Sequence, residues 1–230
     1  MAPINDAPSW QSIEERIARL EEAFWPFFHA HWAVCAAGES AIPALVRTLG
    51  RGPAGKTAYA PVRALGEIVR TNPTDLAINA LLDWLPIQAS IYPDVRQALL
   101  NAGEHVLPFL KGRLSRWAAE ADDEAIRNAL DLITGLPIAG RLELLPDWFR
   151  LLEHDHPTIR WTALYEGREF VLVSMMAGGD SMTFSTVAAR IRELALHDPD
   201  PDVREEAAAC LSGFPVPEEG ASPLPAEHCD

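Results

Sequence analysis

Residues 197–211 read HDPDPDVREEAAACL and contain the clearest copy of a motif that returns along the chain. Its central step is a β-branched residue followed directly by arginine. This step occurs five times, at Val62-Arg63, Val95-Arg96, Ile126-Arg127, Ile159-Arg160 and Val203-Arg204, so the arginine intervals are 33, 31, 33 and 44 residues. A period between about 20 and 50 residues is typical of stacked supersecondary units. The sequence therefore predicts an internal repeat.

Apolar periodicity places each motif on a helix. Small or apolar residues follow the β-branched residue at about four and seven positions, as in Val95, Leu99 and Ala102, which is one face of an α-helix. Proline or an acidic residue stands two before the β-branched residue in four of the five copies, where proline fits a first helical turn. Another periodic segment precedes each motif helix, and several carry an Ile/Leu-Pro step that we expect to kink or end the helix.

The resulting layout is a leader helix near 10–34 and five helix pairs. First helices are predicted at 39–49, 74–86, 104–120, 139–153 and 184–197, and second helices at 58–70, 93–103, 122–135, 157–173 and 201–212. The 44-residue interval is about 11 residues longer than the others, and we assign the excess to a projecting loop at 174–182. This gives a capping leader at 1–38, a solenoid at 39–213 and a proline-rich acidic tail at 214–230 that we expect to be disordered.

The motif resembles the short bacterial HEAT-like repeat grouped with phycobilisome-lyase repeats. Residues 197–211 carry the resemblance, and 154–160 (HDHPTIR) and 92–96 (YPDVR) are weaker copies. The resemblance covers about residues 39–213. It implies an all-α, right-handed solenoid in which each β-branched residue is core and each arginine reaches an acidic group of a neighbouring repeat. Tetratricopeptide and ankyrin arrays share a period near 33, but their signatures are absent from this sequence.

The charge balance restricts the kind of partner. Lys and Arg number 19 and Asp and Glu number 33, which gives 19 − 33 = −14. Such a charge disfavours nucleic acid and anionic membranes and favours a basic protein. Cys35, Cys210 and Cys229 are widely spaced and predict neither a zinc ribbon nor a disulfide framework. With no recognisable secretory signal or membrane span, we expect a cytoplasmic protein.

The sequence contains no recognised catalytic motif in a fitting context. Residues 50–57 (GRGPAGKT) match a phosphate-binding loop literally, but they follow a predicted helix rather than a strand, so we interpret them as an inter-helix linker. His154, His156 and His197 stand beside aspartates at turns that enter second helices, where such side chains cap helix ends. We therefore predict no catalytic residue, no metal site and no cofactor.

The candidate contact surface is a stripe on the fourth second helix. Positions two, six and nine after Ile159 hold Trp161, Tyr165 and Arg168, whereas the second repeat has Gln97, Asn101 and Glu104 there. Trp, Tyr and Arg are the residue types most enriched at binding hot spots. Alternatively, the neighbouring insertion folds back over Trp161 and Tyr165. Further candidates for the partner-binding surface are Met175 and Met176 as an adaptable lip, and Glu67 and Asp131 within an anionic groove.

The leading hypothesis is a non-enzymatic protein–protein interaction module. It would act as an acidic inhibitor, an immunity factor or an assembly adaptor, that is, a scaffold for a basic partner. The family resemblance implies one alternative, a bilin lyase-like protein that handles chromophores. A second alternative is a HEAT-type alkylpurine DNA glycosylase, which needs a basic concave face and is disfavoured by the charge of −14.

Overall fold

The computed structural model describes residues 12–18, 24–50, 56–86, 91–170, 172 and 181–213. Within these ranges all regular secondary structure is helical, as predicted. The α-helices are α1 (Ile13–Ala18), α2 (Phe24–Ala37), α3 (Ile42–Leu49), α4 (Lys56–Thr71), α5 (Asp75–Trp84), α6 (Tyr92–Ala102), α7 (Leu107–Glu120), α8 (Asp123–Thr134), α9 (Ile138–Leu151), α10 (Pro157–Glu166), α11 (Ser181–His197) and α12 (Pro201–Ser212). Short 3₁₀ helices at Gly38–Ala41 and Gly103–Val106 lead into α3 and α7.

The helices from α3 onward form five pairs that stack in two layers. The first helices α3, α5, α7 and α9 pack on one another in series. The second helices α4, α6, α8, α10 and α12 form the other layer, and each packs on the next. One hydrophobic cluster runs from α1 to α12 through both layers. This is a repeat α-solenoid, which confirms the predicted all-α fold class.

The β-branched residue of each motif lies in the core. Val62, Val95, Ile126, Ile159 and Val203 are each 0% exposed. Burial of one such side chain contributes about 1.5–3 kcal/mol. The aliphatic half of the motif therefore acts by packing, at the same place in every pair.

Prolines mark the beginnings of helices more often than their ends. Pro93, Pro157 and Pro201 stand in the first turns of second helices, where a missing N–H leaves no hydrogen bond unmade. Of the Ile/Leu-Pro steps, Leu85-Pro86 follows the end of α5 as predicted, and the other three differ from the prediction. Those of α3 and α7 open their helices, and Pro146 lies inside α9, which continues through it.

Three boundaries differ from the predicted layout. The leader consists of two helices, α1 and α2, which pack against α3 and α4. Helix α10 ends at Glu166 instead of 173, because the next residue, Gly167, begins a turn. Helix α11 begins at Ser181, inside the predicted loop. Residues 173–180, which include Met175 and Met176, and the predicted tail at 214–230 lie outside the described residues.

Helices α4 and α6 approach so closely that Gly66 has no room for a side chain. A Cβ on Gly66 would lie 2.9 Å from the Cβ of Ala98. We expect Gly66→Ala to destabilise the protein by up to about 2 kcal/mol, because overpacking costs about 1–3 kcal/mol and the gain in helix propensity offsets about 1 kcal/mol of it. Urea unfolding measures the change. Gly112→Ala is the control, since nothing lies within 4 Å of that Cβ and the substitution should stabilise α7. A stabilising Gly66→Ala would contradict the close approach.

Candidate functional site

The exposed surface of the second helices, which we call the second-helix face, carries a row of ion pairs between repeats. Four motif arginines each bind an acid of the following repeat. The pairs are Arg63 Nε to Asp94 Oδ1 at 2.7 Å, Arg96 Nε to Asp131 Oδ2 at 2.8 Å, Arg127 Nε to Glu166 Oε1 at 3.8 Å, and Arg160 Nε to Asp198 Oδ2 at 2.7 Å. The arginine half of the motif thus links neighbouring repeats.

The Arg160–Asp198 pair is the most buried of this row. The two side chains are 8% and 2% exposed, whereas the Arg63 side chain is 58% exposed. Arg160 donates two hydrogen bonds to the Asp198 carboxylate and two more to the carbonyl oxygens of His154 and Asp155. Burial alone would raise the pKa of Asp198, but hydrogen bonds from Arg160 and the Asp200 N–H, with the charges of Arg160 and Arg190, lower it below its ordinary value.

Asp131 and Glu67, two predicted contact residues, occupy different environments. Asp131 binds Arg96 and accepts a hydrogen bond from the Tyr92 hydroxyl, so its carboxylate joins the second and third repeats. Burial, together with this bond, raises the pKa of Tyr92. Glu67 is exposed, accepts a hydrogen bond of 3.3 Å from Arg70, and lines a shallow polar pocket with His31. Both side chains reach solvent, with 50% of Glu67 and 43% of Asp131 exposed, but only Asp131 is bound across two repeats.

Trp161 and Tyr165 form an aromatic pair on α10. Their ring centroids are 5.0 Å apart and the planes differ by 9°, so the rings are stacked. Trp161 packs partly against the core, and Tyr165 is 50% exposed. On α12, the positions equivalent to these residues hold Glu205 and Ala209, both exposed. The pair is therefore the large aromatic feature of the second-helix face in the fourth repeat.

Arg168 does not continue the predicted stripe. It lies beyond the end of α10, and it binds Glu206 of α12. The stripe also does not face solvent in every repeat, because the equivalent residues Ile68 and Leu132 are buried. Arg168 thus stands apart from the aromatic pair on α10, and with a side chain that is 43% exposed its role in partner contact stays a prediction. Whether the insertion covers this pair lies outside the described residues, since 173–180 are not among them.

A pocket beside the aromatic pair lies between the fourth and fifth repeats. It is lined by Pro157, Thr158 and Trp161 of α10 and by Asp200 and Asp202 at the start of α12. We call it the aromatic–acid pocket. The sequence analysis missed it because its two halves are about 40 residues apart. The Asp-Pro-Asp spacing at 200–202 is the only part of this pocket's acidic side that a short stretch of sequence contains.

The histidine–aspartate turns form hydrogen bonds within the turn itself. His154 Nδ1 accepts a hydrogen bond from the His156 N–H. His154 and His197 line a polar pocket together with Arg160 and Arg190. In the described part of the chain, no group of three or more His, Cys, Asp or Glu side chains is arranged to hold a metal ion.

Comparisons with known proteins give similarity of fold only. No family model matches this chain, and no curated protein matches its sequence. A designed armadillo repeat protein is 15% identical over 87% of this chain and 99% of its own, with a TM-score of 0.38. An engineered protein is 17% identical over 88% of this chain and 96% of its own, with a TM-score of 0.36. The predicted membership of the phycobilisome-lyase-type repeat group stays a prediction. No helix of the described residues could cross a membrane.

Proposed function

We propose that this chain is a protein-binding repeat module that captures a basic protein partner on its second-helix face. Stacked helical repeats are a scaffold typical of protein-binding modules, because each added pair extends a continuous surface. The observation that carries the proposal is the exposed aromatic pair Trp161–Tyr165 set beside acidic side chains. The module acts by binding alone, as an inhibitor, an immunity factor or an assembly adaptor.

The aromatic pair suits an anchoring role because it is already ordered. Trp161 is fixed by the core on one edge and by Tyr165 across its face. A partner that covers the pair therefore gains apolar contact and loses little side-chain freedom. Tyr and Trp with this combination of rigidity and exposure dominate many interfaces.

The surrounding charge selects a cationic partner. Asp202 lines the aromatic–acid pocket with Trp161, and Glu205 follows it on α12; both are exposed, and neither is in an ion pair with any residue that the structure describes. The whole chain carries a net charge of −14. Such a field accelerates encounters with a basic surface and repels acidic competitors.

The double substitution Trp161→Ala with Tyr165→Ala tests the anchor. Each truncation of a hot-spot aromatic costs about 2 kcal/mol or more, so we expect the double variant to bind the partner at least about 30-fold more weakly. Affinity capture from the native cell, followed by mass spectrometry and titration of the recovered protein, measures this loss. The expected partner is a basic protein recovered in stoichiometric amount.

Ile138→Ala is the matched control. Ile138 is 50% exposed, the same fraction as Tyr165, but it begins a first helix on the other layer. This variant should retain the partner at wild-type affinity. Equal capture by the wild type and the double variant, with both variants folded by circular dichroism, would remove the aromatic pair from the binding surface. Recovery of an acidic partner would refute the charge argument.

A further inference from the structure

We infer that the aromatic–acid pocket receives one arginine side chain of the partner. The inference rests on the proposed function, and it names the chemistry of the partner's central contact. Three features of the pocket support it: an uncovered aromatic face, two carboxylates on the opposite wall, and a size that fits one side chain.

The aromatic wall is the face of Trp161 that Tyr165 leaves open. Tyr165 lies one helical turn after Trp161 and stacks on one side of the indole. Pro157 and Thr158 lie one turn before Trp161, and both line the pocket together with the indole. The pocket therefore borders the side of the ring that Tyr165 does not cover. A cation held over an indole face is attracted by the electron density of the ring.

The acidic wall comes from the turn and first residues of α12. Asp200 Oδ1 accepts hydrogen bonds from the N–H groups of Asp202 at 2.9 Å and Val203 at 3.2 Å, so this carboxylate caps the helix. The helix N-terminus contributes about half a positive charge, and the two carboxylates together outweigh it. The neighbouring Arg204 is not among the lining residues, and it donates to the carbonyl oxygens of Asp198 and Pro199. Asp202 is exposed and is the carboxylate available to a ligand.

The size and shape of the pocket favour a guanidinium group. Its volume is about 170 Å³, below the roughly 300–1,000 Å³ of pockets for small-molecule ligands. It therefore holds one side chain and not a cofactor. A guanidinium is planar, stacks flat on an aromatic ring and still presents N–H groups at its edge to a carboxylate. An ammonium group lacks this planar stacking.

The test uses small probes, so it does not need the partner. We would titrate ¹⁵N-labelled full-length protein with N-acetyl-arginine amide, N-acetyl-lysine amide and N-acetyl-citrulline amide. The indole N–H signal of Trp161 is assigned with Trp161→Phe. We expect the arginine probe to shift this signal and to bind at least about 3-fold more tightly than the lysine and citrulline probes, because only it combines charge with a stacking plane. Equal binding of arginine and citrulline, or of arginine and lysine, would overturn the inference.

Asp202→Asn identifies the acidic wall. We expect it to weaken the arginine probe about 2- to 5-fold, the range of an exposed carboxylate pair. Asp75→Asn is its control, because Asp75 is also an exposed aspartate in a helical first turn, on the first-helix layer. Identical affinity of the arginine probe for the wild type and for Asp202→Asn would show that the Asp202 carboxylate does not contact the probe. If the partner depends on Trp161 and Tyr165 while no probe binds, the proposed function stands and the arginine pocket fails.

Discussion

Arg160→Met is expected to destabilise the protein by about 3–5 kcal/mol. The substitution removes a cation that is buried with Asp198 and leaves that buried carboxylate without its two-hydrogen-bond partner. The carbonyl oxygens of His154 and Asp155 also lose their donor. Equilibrium unfolding in urea at pH 7 measures the difference, and the midpoint should fall with little change in slope.

Arg63→Met is the matched control for Arg160→Met. It removes the same residue type from the same motif position in the first repeat, where the side chain is 58% exposed. An exposed ion pair contributes at most about 1 kcal/mol, so we expect a loss no larger than that. Equal losses in the two variants would show that burial does not distinguish the two ion pairs.

Acid should narrow the difference between wild type and Arg160→Met. The pKa of Asp198 is lowered in the folded protein, so its pairing stabilises the fold above the unfolded-state pKa of about 4. This contribution disappears as the pH falls through the lowered folded pKa. The same urea measurements, repeated as the pH falls below about 4, should therefore bring the two curves closer, while the hydrogen bonds from Arg160 to the carbonyl oxygens of His154 and Asp155 keep part of the difference.

Gly167→Ala is expected to cost about 2–5 kcal/mol. A Cβ at this position would overlap the Trp148 indole nitrogen and the Ala163 carbonyl oxygen. That carbonyl accepts hydrogen bonds from Trp148 Nε1 at 2.9 Å and from the Gly167 N–H at 3.0 Å. The methyl group thus causes overpacking that costs about 1–3 kcal/mol. It also breaks the hydrogen bond from the Trp148 indole N–H to the Ala163 carbonyl oxygen, which costs a similar amount. Thermal or urea unfolding measures the loss.

Gly213→Ala separates this packing effect from backbone effects. Both glycines follow the last residue of a second helix, with φ and ψ of −82° and −1° at Gly167 and −88° and −6° at Gly213. A Cβ at Gly213 would lie 3.6 Å from the Cys210 carbonyl oxygen, an ordinary contact. We expect this variant to be neutral or more stable by up to about 1 kcal/mol. A large loss of stability in Gly213→Ala would show that the backbone conformation, and not packing against Trp148, explains the effect of Gly167→Ala.

The repeat could be predicted from sequence because its signal is local and recurs. In the copy around Val203, the proline two positions earlier marks the start of a helix, and the β-branched residue marks its buried face. The end of α10 at Glu166 could not be predicted from the local pattern, and neither could the position of Trp148, a distant residue, in the space beside Gly167. Gly167 is followed by residues that otherwise continue a helical pattern. The Ile/Leu-Pro steps were ambiguous for a similar reason, since the position of proline within a helix is decided by the neighbouring helices.

The candidate site was predictable only within one helix. Trp161 and Tyr165 were found because four residues separate neighbours on a helical face. The prediction for Arg168 extended helical geometry past the turn at Gly167. Asp202 was missed because its proximity to Trp161 arises from the packing of α10 on α12, which no short sequence window contains.

The most exposed and the most buried of the inter-repeat arginines, Arg63 and Arg160, lie toward opposite ends of the stack of repeats. Dissolved salt weakens exposed charge pairs much more than buried ones. Rising ionic strength should therefore weaken the ion pair of Arg63 with Asp94 more than the ion pair of Arg160 with Asp198, because the Arg160 side chain is only 8% exposed. Because each repeat touches only its neighbours, such fraying can spread inward from the N-terminal end. The C-terminal repeats, which bear Trp161 and Asp202, would then remain folded while the N-terminal repeats open.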